Sequence, residues 1–196
     1  MIQPNPDTRI DGWDACSGYY YDDNTINGFS HTHVSGTGCC DYGDVLLMPT
    51  VGKPQYLTTD PESQKLDYAS AFSHENETAE PGYYSVFPDT YQVKAEITAT
   101  KRGAIHRYTL PESTESGLII DLDYSLQRQT NYEMEIEVIS DTEICGHKKT
   151  TYWAFDQYIN FYAKFSKPFA YTLITDSVTM DNGKRLPVCK AVLHFN

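Results

Sequence analysis

The sequence lacks any long apolar run, and its N-terminus carries no targeting pattern. No stretch approaches the roughly 20 apolar residues that a membrane-spanning helix needs. The opening segment MIQPNPDTRID has neither the basic region nor the apolar region of a signal peptide. We therefore expect no membrane association and find no signal peptide in this chain.

Positive charge is also scarce. The 196 residues include 15 Lys and Arg against 27 Asp and Glu, which gives a formal net charge of −12. A surface of this sign repels the phosphates of nucleic acids and of anionic membranes, because it has no cations to replace their counterions. The charge therefore argues against nucleic acid as a partner, whereas a neutral ligand carries no such penalty.

Familiar metal, nucleophile and phosphate motifs are missing as well. The chain has five cysteines, namely Cys16, Cys39, Cys40, Cys145 and Cys189. They contain no CxxC pair, which argues against a structural zinc site, and their odd number leaves the redox state open. The nearest match to a GxSxG elbow, Ser35-Gly36-Thr37-Gly38, lacks strand–turn–helix context and is not followed by the Lys of a phosphate loop.

The sequence does contain the alternation that is typical of half-buried strands. Residues 91–101 (YQVKAEITATK) place Val93, Ala95, Ile97 and Ala99 on one face and Gln92, Lys94, Glu96 and Thr98 on the other. Residues 131–138 (NYEMEIEV) place Met134, Ile136 and Val138 inward, and their three glutamates form a solvated stripe. These patterns predict strands rather than helices.

Five further segments are predicted strands: AIHRYTL, GLIIDLDYS, QYINFYAKFS, YTLITDSV and VCKAVLHF. Turn signals such as Asp181-Asn182-Gly183 separate them. We expect an all-β fold, an antiparallel β-sandwich of the supersandwich kind that occupies residues 1–196 as one domain. The final segment has one apolar face and no polar tail, so we expect an open edge at which the chain continues or pairs.

The first third of the chain has a different texture, with Gly, Ser, Thr, Asp, Asn and Tyr in excess, and predicts long ordered loops. Trp13 lies in one of them between Asp11 and Asp14. In such a setting the indole can stack on a sugar, and the carboxylates can accept hydrogen bonds from the hydroxyl groups of that sugar. The alternative is a core tryptophan beneath the loop. Trp153 starts a strand pattern and is predicted to be a core residue.

His31 and His33 are separated by one residue, so on a strand they share a face and could ligate a metal together with Asp41 or Asp44. The alternative is that one or both imidazoles hydrogen-bond to loop backbone and only position the chain. A glycosidase needs two carboxylates that face each other across a sugar, and the acidic residues here give no such focus. We assign no catalytic residue and no metal ligand in this chain.

Seven segments resemble the N-terminal domain of glycoside hydrolase family 92, the bacterial α-mannosidases that include α-1,2-mannosidases. They are Pro6-Asp7-Thr8, DGWDACSGY from Asp11, GFSHTHVSGTGCCDYGDVLLMPT from Gly28, FSHENETAEPGYYSV from Phe72, VKAEITATKRGAIHRYTLP from Val93, IIDLD from Ile119 and FSKPF from Phe165. They occur in family order over essentially the whole chain.

The resemblance implies a two-domain parent enzyme, periplasmic or secreted, in which this sandwich packs on a C-terminal (α/α)6 catalytic barrel. It implies inversion at the anomeric carbon, with calcium and the acid and base carboxylates held largely by that barrel. The sandwich would contribute loops that close the pocket around a mannose-containing glycan. Because the barrel and an upstream Gly-rich stretch are missing, we expect a domain truncated at both ends that cannot hydrolyse mannosides alone.

By the same resemblance, Trp13 is the residue expected to contact the leaving-group sugar, with Asp14 and Cys16 beside it. His31 and His33, in the segment HTHVSGTG, are expected to shape the cleft. Two other hypotheses stay open: an independent carbohydrate-binding module and a structural β domain without a ligand. We also expect self-association through exposed apolar or edge-strand surface.

Overall fold

The computed structural model describes residues 2–34, 40–57, 63–112, 115–128, 130–153, 155–179 and 185–195. These residues form fifteen strands: β1 Asn5–Asp7, β2 Thr25–Ile26, β3 Gly28–Ser30, β4 Leu46–Val51, β5 Ser70–Ala71, β6 Thr78–Glu80, β7 Tyr83–Val86, β8 Lys94–Ala99, β9 Ala104–Thr109, β10 Ser116–Asp121, β11 Thr130–Val138, β12 Glu143–Thr151, β13 Gln157–Lys164, β14 Ala170–Thr179 and β15 Arg185–Phe195. Three short 3₁₀ turns are the helical segments found there: Trp13–Ala15, His74–Asn76 and Leu126–Arg128. In the described part of the chain, no helix has the length and apolarity to cross a membrane.

The strands form a six-stranded sheet in the order β1-β3-β4-β10-β15-β14, together with three smaller sheets. The smaller sheets are β11-β12-β13, β6-β7-β8-β9 and the pair β2-β5. Neighbouring strands pair antiparallel. The prediction of an all-β antiparallel sandwich with ordered loops in the first third is confirmed.

The central strands of the six-stranded sheet, β10 and β15, are buried on both faces. Leu118 and Leu193 lie on one face and share a core with β11–β13 through residues such as Ile144. Ile119 and Val192 lie on the opposite face and pack beneath loops that include Tyr68, Tyr91 and Tyr124. Because successive side chains of a strand point to opposite faces, β10 is buried at every position.

The two alternating segments fold largely as predicted. In residues 131–138 the three glutamates are exposed, and Ile136 is buried. In residues 91–101 two positions differ: Ala99 at the end of β8 is exposed, and Glu96 is buried although it lies on the outward face. Arg107 on β9 covers Glu96 with two hydrogen bonds of 2.6 and 2.7 Å, which explains the burial.

The expectation of an open edge at the last strand is wrong. β15 pairs with β10 on one side and with β14 on the other, so it lies inside the sheet. The turn Asp181-Asn182-Gly183 between β14 and β15 lies outside the described residues. The edge is β14, where Tyr171 and Leu173 are exposed. Self-association stays a prediction, with β14 as the candidate edge.

The prediction of a core position for Trp153 is also wrong. Its side chain is 66% exposed in the connection between β12 and β13, next to exposed Tyr152 and Phe155. The apolar composition of TTYWAF resembles the start of a buried strand, but the chain turns there, because β12 ends at Thr151 and β13 begins at Gln157.

The core also contains an ion pair that joins β12 to the loop before β4. Lys148 Nζ lies 2.9 Å from Asp44 Oδ1 and donates to the Tyr124 carbonyl at 2.7 Å, and both charged side chains are fully buried. We expect Lys148→Met to lower the free energy of unfolding by about 3–5 kcal/mol, because the Asp44 charge would remain buried without its cation. Urea unfolding followed by circular dichroism measures this loss.

Lys164→Met is the matched control. Lys164 pairs with Glu143 at 3.0 Å on the surface, with its own side chain 68% exposed, so its loss should cost less than about 1 kcal/mol. Equal effects of the two substitutions would contradict the importance of the buried pair.

Candidate functional site

The loop that follows β1 presents Trp13 to solvent. Gly12 precedes the 3₁₀ turn Trp13–Ala15 with a φ of 115°, a conformation that favours glycine. The Trp13 side chain is 77% exposed and Asp14 is exposed, whereas Cys16 is half-buried and packs against the core. Trp13 is therefore not a core residue, and the loop is attached to the core through Cys16.

The base of this loop is held by two side chains from distant parts of the chain. Gln64 Oε1 accepts hydrogen bonds from the backbone N–H groups of Ile10 at 3.0 Å and Asp11 at 3.1 Å, and Gln64 Nε2 donates to Asp11 Oδ1 at 2.5 Å. Arg128 Nε lies 3.3 Å from Asp11 Oδ2, and Arg128 Nη2 donates to the Ser63 carbonyl at 2.7 Å. The loop that carries Trp13 is thus fixed at Asp11.

A cleft of about 280 Å³ opens beside this loop, which we call the clamped loop because Gln64 and Arg128 hold it at Asp11. It is lined by Thr8, Arg9, Asp11, Asp23, Asn24, Thr25, Gln64 and Lys65. Arg9 binds Asp23 through two nitrogens at 2.8–3.1 Å and lies 4.0 Å above the Tyr20 ring. Its charge is thus matched by Asp23, whereas Lys65 adds an exposed cation, and Asp11, Asn24 and Gln64 supply further hydrogen-bond groups, so the lining suits a polar ligand.

His31 belongs to a chain of hydrogen bonds whose protons can be assigned from its ends. His31 Nδ1 lies 2.7 Å from the Val45 carbonyl, which can only accept, so this nitrogen carries the proton. His31 Nε2 then accepts from His106 Nε2 at 3.0 Å, and His106 Nδ1 accepts from the Tyr108 hydroxyl at 2.9 Å. Both imidazoles are therefore neutral.

The electrostatics agree with this assignment. Burial lowers the pKa of His31, and burial together with the neighbouring His31 lowers the pKa of His106 to about 3. Protonation of His31 at Nε2 would place two N–H groups against each other unless His106 moved its own proton to Nδ1.

His33 has the opposite character. Its Nδ1 donates to the Gln3 carbonyl at 2.7 Å, and its Nε2 lies 2.9 Å from both Asp7 Oδ1 and the Ser30 hydroxyl. Burial opposes the charged form, but the Asp7 carboxylate and these hydrogen bonds outweigh it and raise the pKa of His33. His33 and Asp7 form a buried ion pair.

The predicted site residues therefore separate into two groups. Trp13, Asp14 and Cys16 lie on the loop beside the cleft, whereas the imidazoles of His31 and His33 bind backbone carbonyls, as in the alternative of a positioning role. A substrate-binding role for the two histidines stays a prediction. Residues 35–38 of the segment HTHVSGTG, with Gly36 and Gly38, lie outside the described residues, as does Cys39.

Sequence reasoning missed the residues that build the cleft and its clamp. Asp11 meets Gln64 and Arg128 across sequence separations of 53 and 117 residues. No local spacing signals such contacts, because they depend on the folded loops. Only the position of Arg9, two residues before the DGW segment, could have suggested a polar wall.

The fold and these loops define an all-β antiparallel sandwich with a polar cleft built from its N-terminal loops. Residues 1–196 match the glycosyl hydrolase family 92 N-terminal domain, and the chain belongs to this family.

Solved structures of the family resemble the whole chain. The family GH92 α-mannosidase BT3965 from Bacteroides thetaiotaomicron is 33% identical with a TM-score of 0.83, over 100% of this chain and 28% of that one. Its complex with mannoimidazole gives the same identity and TM-score over 27% of that chain. The GH92 family glycosyl hydrolase ccman5, 24% identical with a TM-score of 0.71 over 27% of that chain, shares the fold.

A curated relative from Arthroderma benhamiae is described as an uncharacterized secreted glycosidase. It is 27% identical over 105 residues, which are 53% of this chain and 13% of the relative. The chain thus spans between about one eighth and just over one quarter of the length of these relatives.

The neutral His31–His106 pair predicts a specific pH dependence. An unfolded histidine titrates near pH 6.5, whereas folded His106 stays neutral to about pH 3. Between these values the unfolded chain binds the extra proton, so stability falls as the pH falls. We expect His106→Gln, whose amide can still donate to His31, to lose about 2 kcal/mol less unfolding free energy between pH 7 and pH 5 than the native chain.

Urea unfolding at the two pH values measures the difference. His33 contributes the opposite trend, because its raised pKa gives stability that is complete below pH 6.5 and is lost as the pH rises through the folded value. His33 is present in both proteins, so the comparison isolates His106. His147→Gln, at an exposed histidine on β12, is the control and should keep the native pH dependence; a native slope in His106→Gln would refute the neutral pair.

Proposed function

We propose that this domain forms one wall of a sugar-binding cleft in a calcium-dependent, inverting α-mannosidase, and that Trp13 contacts the leaving-group sugar. The observation that carries the proposal is the 77% exposure of Trp13 on a loop clamped beside a polar cleft. An indole face packs against the C–H groups of a pyranose, and nearby polar groups bind its hydroxyls. The family membership and the α-mannosidase activity named for BT3965 support mannose as the sugar.

Asp14 and Cys16 complete the proposed contact surface. Asp14 is exposed next to Trp13 and lies 3.9 Å from Arg9 Nη1, so its carboxylate stands at the rim of the cleft, where it can accept hydrogen bonds from hydroxyls. Cys16 fixes the end of the turn to the core. His31 and His33 would act indirectly, without touching the sugar. His31 binds the backbone carbonyls of Asp44 and Val45, and His33 binds that of Gln3, so both histidines would hold nearby backbone in place.

The chemistry is assigned to the rest of the parent protein. Within the described ranges, no three His, Cys, Asp or Glu side chains are arranged to hold a metal ion, so these residues do not fit the calcium that the family resemblance implies. We infer that calcium and the acid and base carboxylates belong to a C-terminal (α/α)6 domain. A secreted or periplasmic parent agrees with the secreted glycosidase among the relatives.

Sugar contact by Trp13 can be measured directly, because the chain has two tryptophans and each indole N–H gives its own NMR signal. In a titration with α-mannobiose we expect the Trp13 signal to shift with a Kd of roughly millimolar, since one wall of a cleft buries only part of the ligand. The Trp153 signal should stay in place. Trp13→Phe assigns the signals.

Trp13→Ala and Trp153→Ala form a matched pair of variants, since both indoles are more than half exposed. The NMR signals of the other cleft residues should no longer shift with added sugar in Trp13→Ala, whereas in Trp153→Ala they should shift as in the native chain. Sugar titrations that are identical in all three proteins would favour a purely structural domain over the proposed wall.

Hydrolysis is expected to be absent in the isolated chain. With p-nitrophenyl α-mannoside or α-mannobiose, with or without added calcium, the release of mannose should equal that of a buffer blank, because the proposed acid and base are not in this chain. Sustained turnover by pure protein of the correct mass would overturn the assignment of catalysis to another domain.

A further inference from the structure

A second aromatic surface lies on the outer face of the β11-β12-β13 sheet. Tyr132, Lys149 and Tyr158 are directly paired across the three strands, and Tyr162 lies on the same face of β13. The row between these tyrosines is Glu135, His147 and Asn160. We call these seven residues the tyrosine face; the opposite side of the sheet packs into the core.

The rings of this face are unusually exposed. Tyr158 is 64% exposed and Tyr162 is 58% exposed, although inward-facing Ile159 and Phe161 alternate with them and pack against the core. A solvated strand face would normally carry polar side chains, as the glutamates of β11 do. Two aligned tyrosine rings in water provide flat apolar surfaces on which a ligand can stack.

Neighbouring charges hold the rings in place before any ligand arrives. Lys149 Nζ lies 5.0 Å from the ring centroids of both Tyr132 and Tyr158, and it is itself fixed by Asp156 at 3.0 Å. A hydrogen bond between Tyr162 and Glu143 raises the pKa of the tyrosine, and Glu143 in turn binds Lys164 at 3.0 Å. Because these side chains are already ordered, binding costs less conformational entropy.

The charges on and around the face select the chemistry of the ligand. Glu135 and Lys149 belong to the face, and the neighbouring rows add Glu137, Glu143 and Lys164, so negative charge is in excess and disfavours anionic ligands. The exposed apolar area consists of tyrosine rings separated by polar side chains, unlike the contiguous apolar core of a protein interface. A neutral polyhydroxylated chain can place its C–H faces on the rings and its hydroxyls on Glu135, His147 and Asn160.

We propose that the tyrosine face is a second carbohydrate-binding surface, on which a neutral oligosaccharide lies along β13 and stacks on Tyr158 and Tyr162. The two tyrosines are four residues apart on the strand, which places them roughly 13 Å from each other. That separation requires an oligosaccharide rather than one sugar. The surface uses none of the residues of the Trp13 cleft, so it stands or falls separately from the function proposed for that cleft.

Affinity electrophoresis of the 196-residue chain tests the proposal, with native gels that contain neutral mannan, galactomannan, xyloglucan or β-glucan, or anionic polygalacturonate. We expect at least one neutral polysaccharide to retard the chain and polygalacturonate to have no effect. Tyr158→Ala and Tyr162→Ala should each weaken the retardation about fivefold to tenfold. Tyr158→Phe and Tyr162→Phe keep the ring and should retain most of the binding.

Two controls separate this surface from other sites. Tyr171→Ala removes a tyrosine that is 50% exposed on β14, in the six-stranded sheet. This variant should migrate as the native chain does. The weakening caused by Tyr158→Ala should be equally large with and without Trp13→Ala, because the cleft is a different site. Thermal unfolding of each variant, followed by circular dichroism, confirms that it is folded.

Several results would overturn the proposal. Native migration in every neutral polysaccharide would do so, as would retardation that disappears in Trp13→Ala but persists in the Tyr158→Ala, Tyr162→Ala double variant. The face would instead be an interface between copies of this chain if light scattering showed that the native chain is a dimer and the double variant a monomer, and if neither bound glycan.

Discussion

The structure depends on the central strands of the six-stranded sheet, because they are buried on both faces and every charged group on them must find a partner inside the protein. Lys190 on β15 meets this requirement by binding Asp121 and Asp123, and the Tyr68 hydroxyl also donates to Asp121. Burial and the neighbouring Asp121 raise the pKa of Asp123 to about 7, so one lysine is shared by two carboxylates that cannot both ionise easily. Lys148 and Asp44 solve the same problem where β12 packs against the sheet.

These buried pairs also shape the loops that carry the candidate site. The Asp44 side chain accepts from the Thr32 hydroxyl, and its backbone carbonyl accepts from the N–H of His31, so the ion pair with Lys148 helps to hold His31 and Thr32. The pKa values of His31 and His33 are then shifted in opposite directions. The Asp7 carboxylate favours the charged form of His33, whereas burial against a carbonyl and a second imidazole favours the neutral form of His31. Charge at this place is set by the partner that the fold supplies and not by the spacing of the histidines.

The sequence predicted what local alternation encodes and missed what depends on contacts between distant segments. The strands of residues 131–138 and the all-β class follow from apolar periodicity, which is a local property. The interior position of β15 does not, because a strand buried on both faces and an edge strand with one apolar face are distinguished by their neighbours, not by their own residues. Burial of Glu96 likewise requires Arg107 from the next strand, and the clamp at Asp11 requires Gln64 from a separate loop.

The two tryptophans show where composition misleads most. Both indoles are exposed, and large apolar side chains in water carry a cost that burial would remove. Trp153 lies in the connection between β12 and β13, close to other exposed rings. Trp13 lies on a loop whose base is held by Gln64 and Arg128. A protein that only needed to hide an indole would place it in the core that Cys16 already reaches. An ordered loop that carries an exposed indole beside a polar cleft is the arrangement that the proposed contact between Trp13 and a sugar requires.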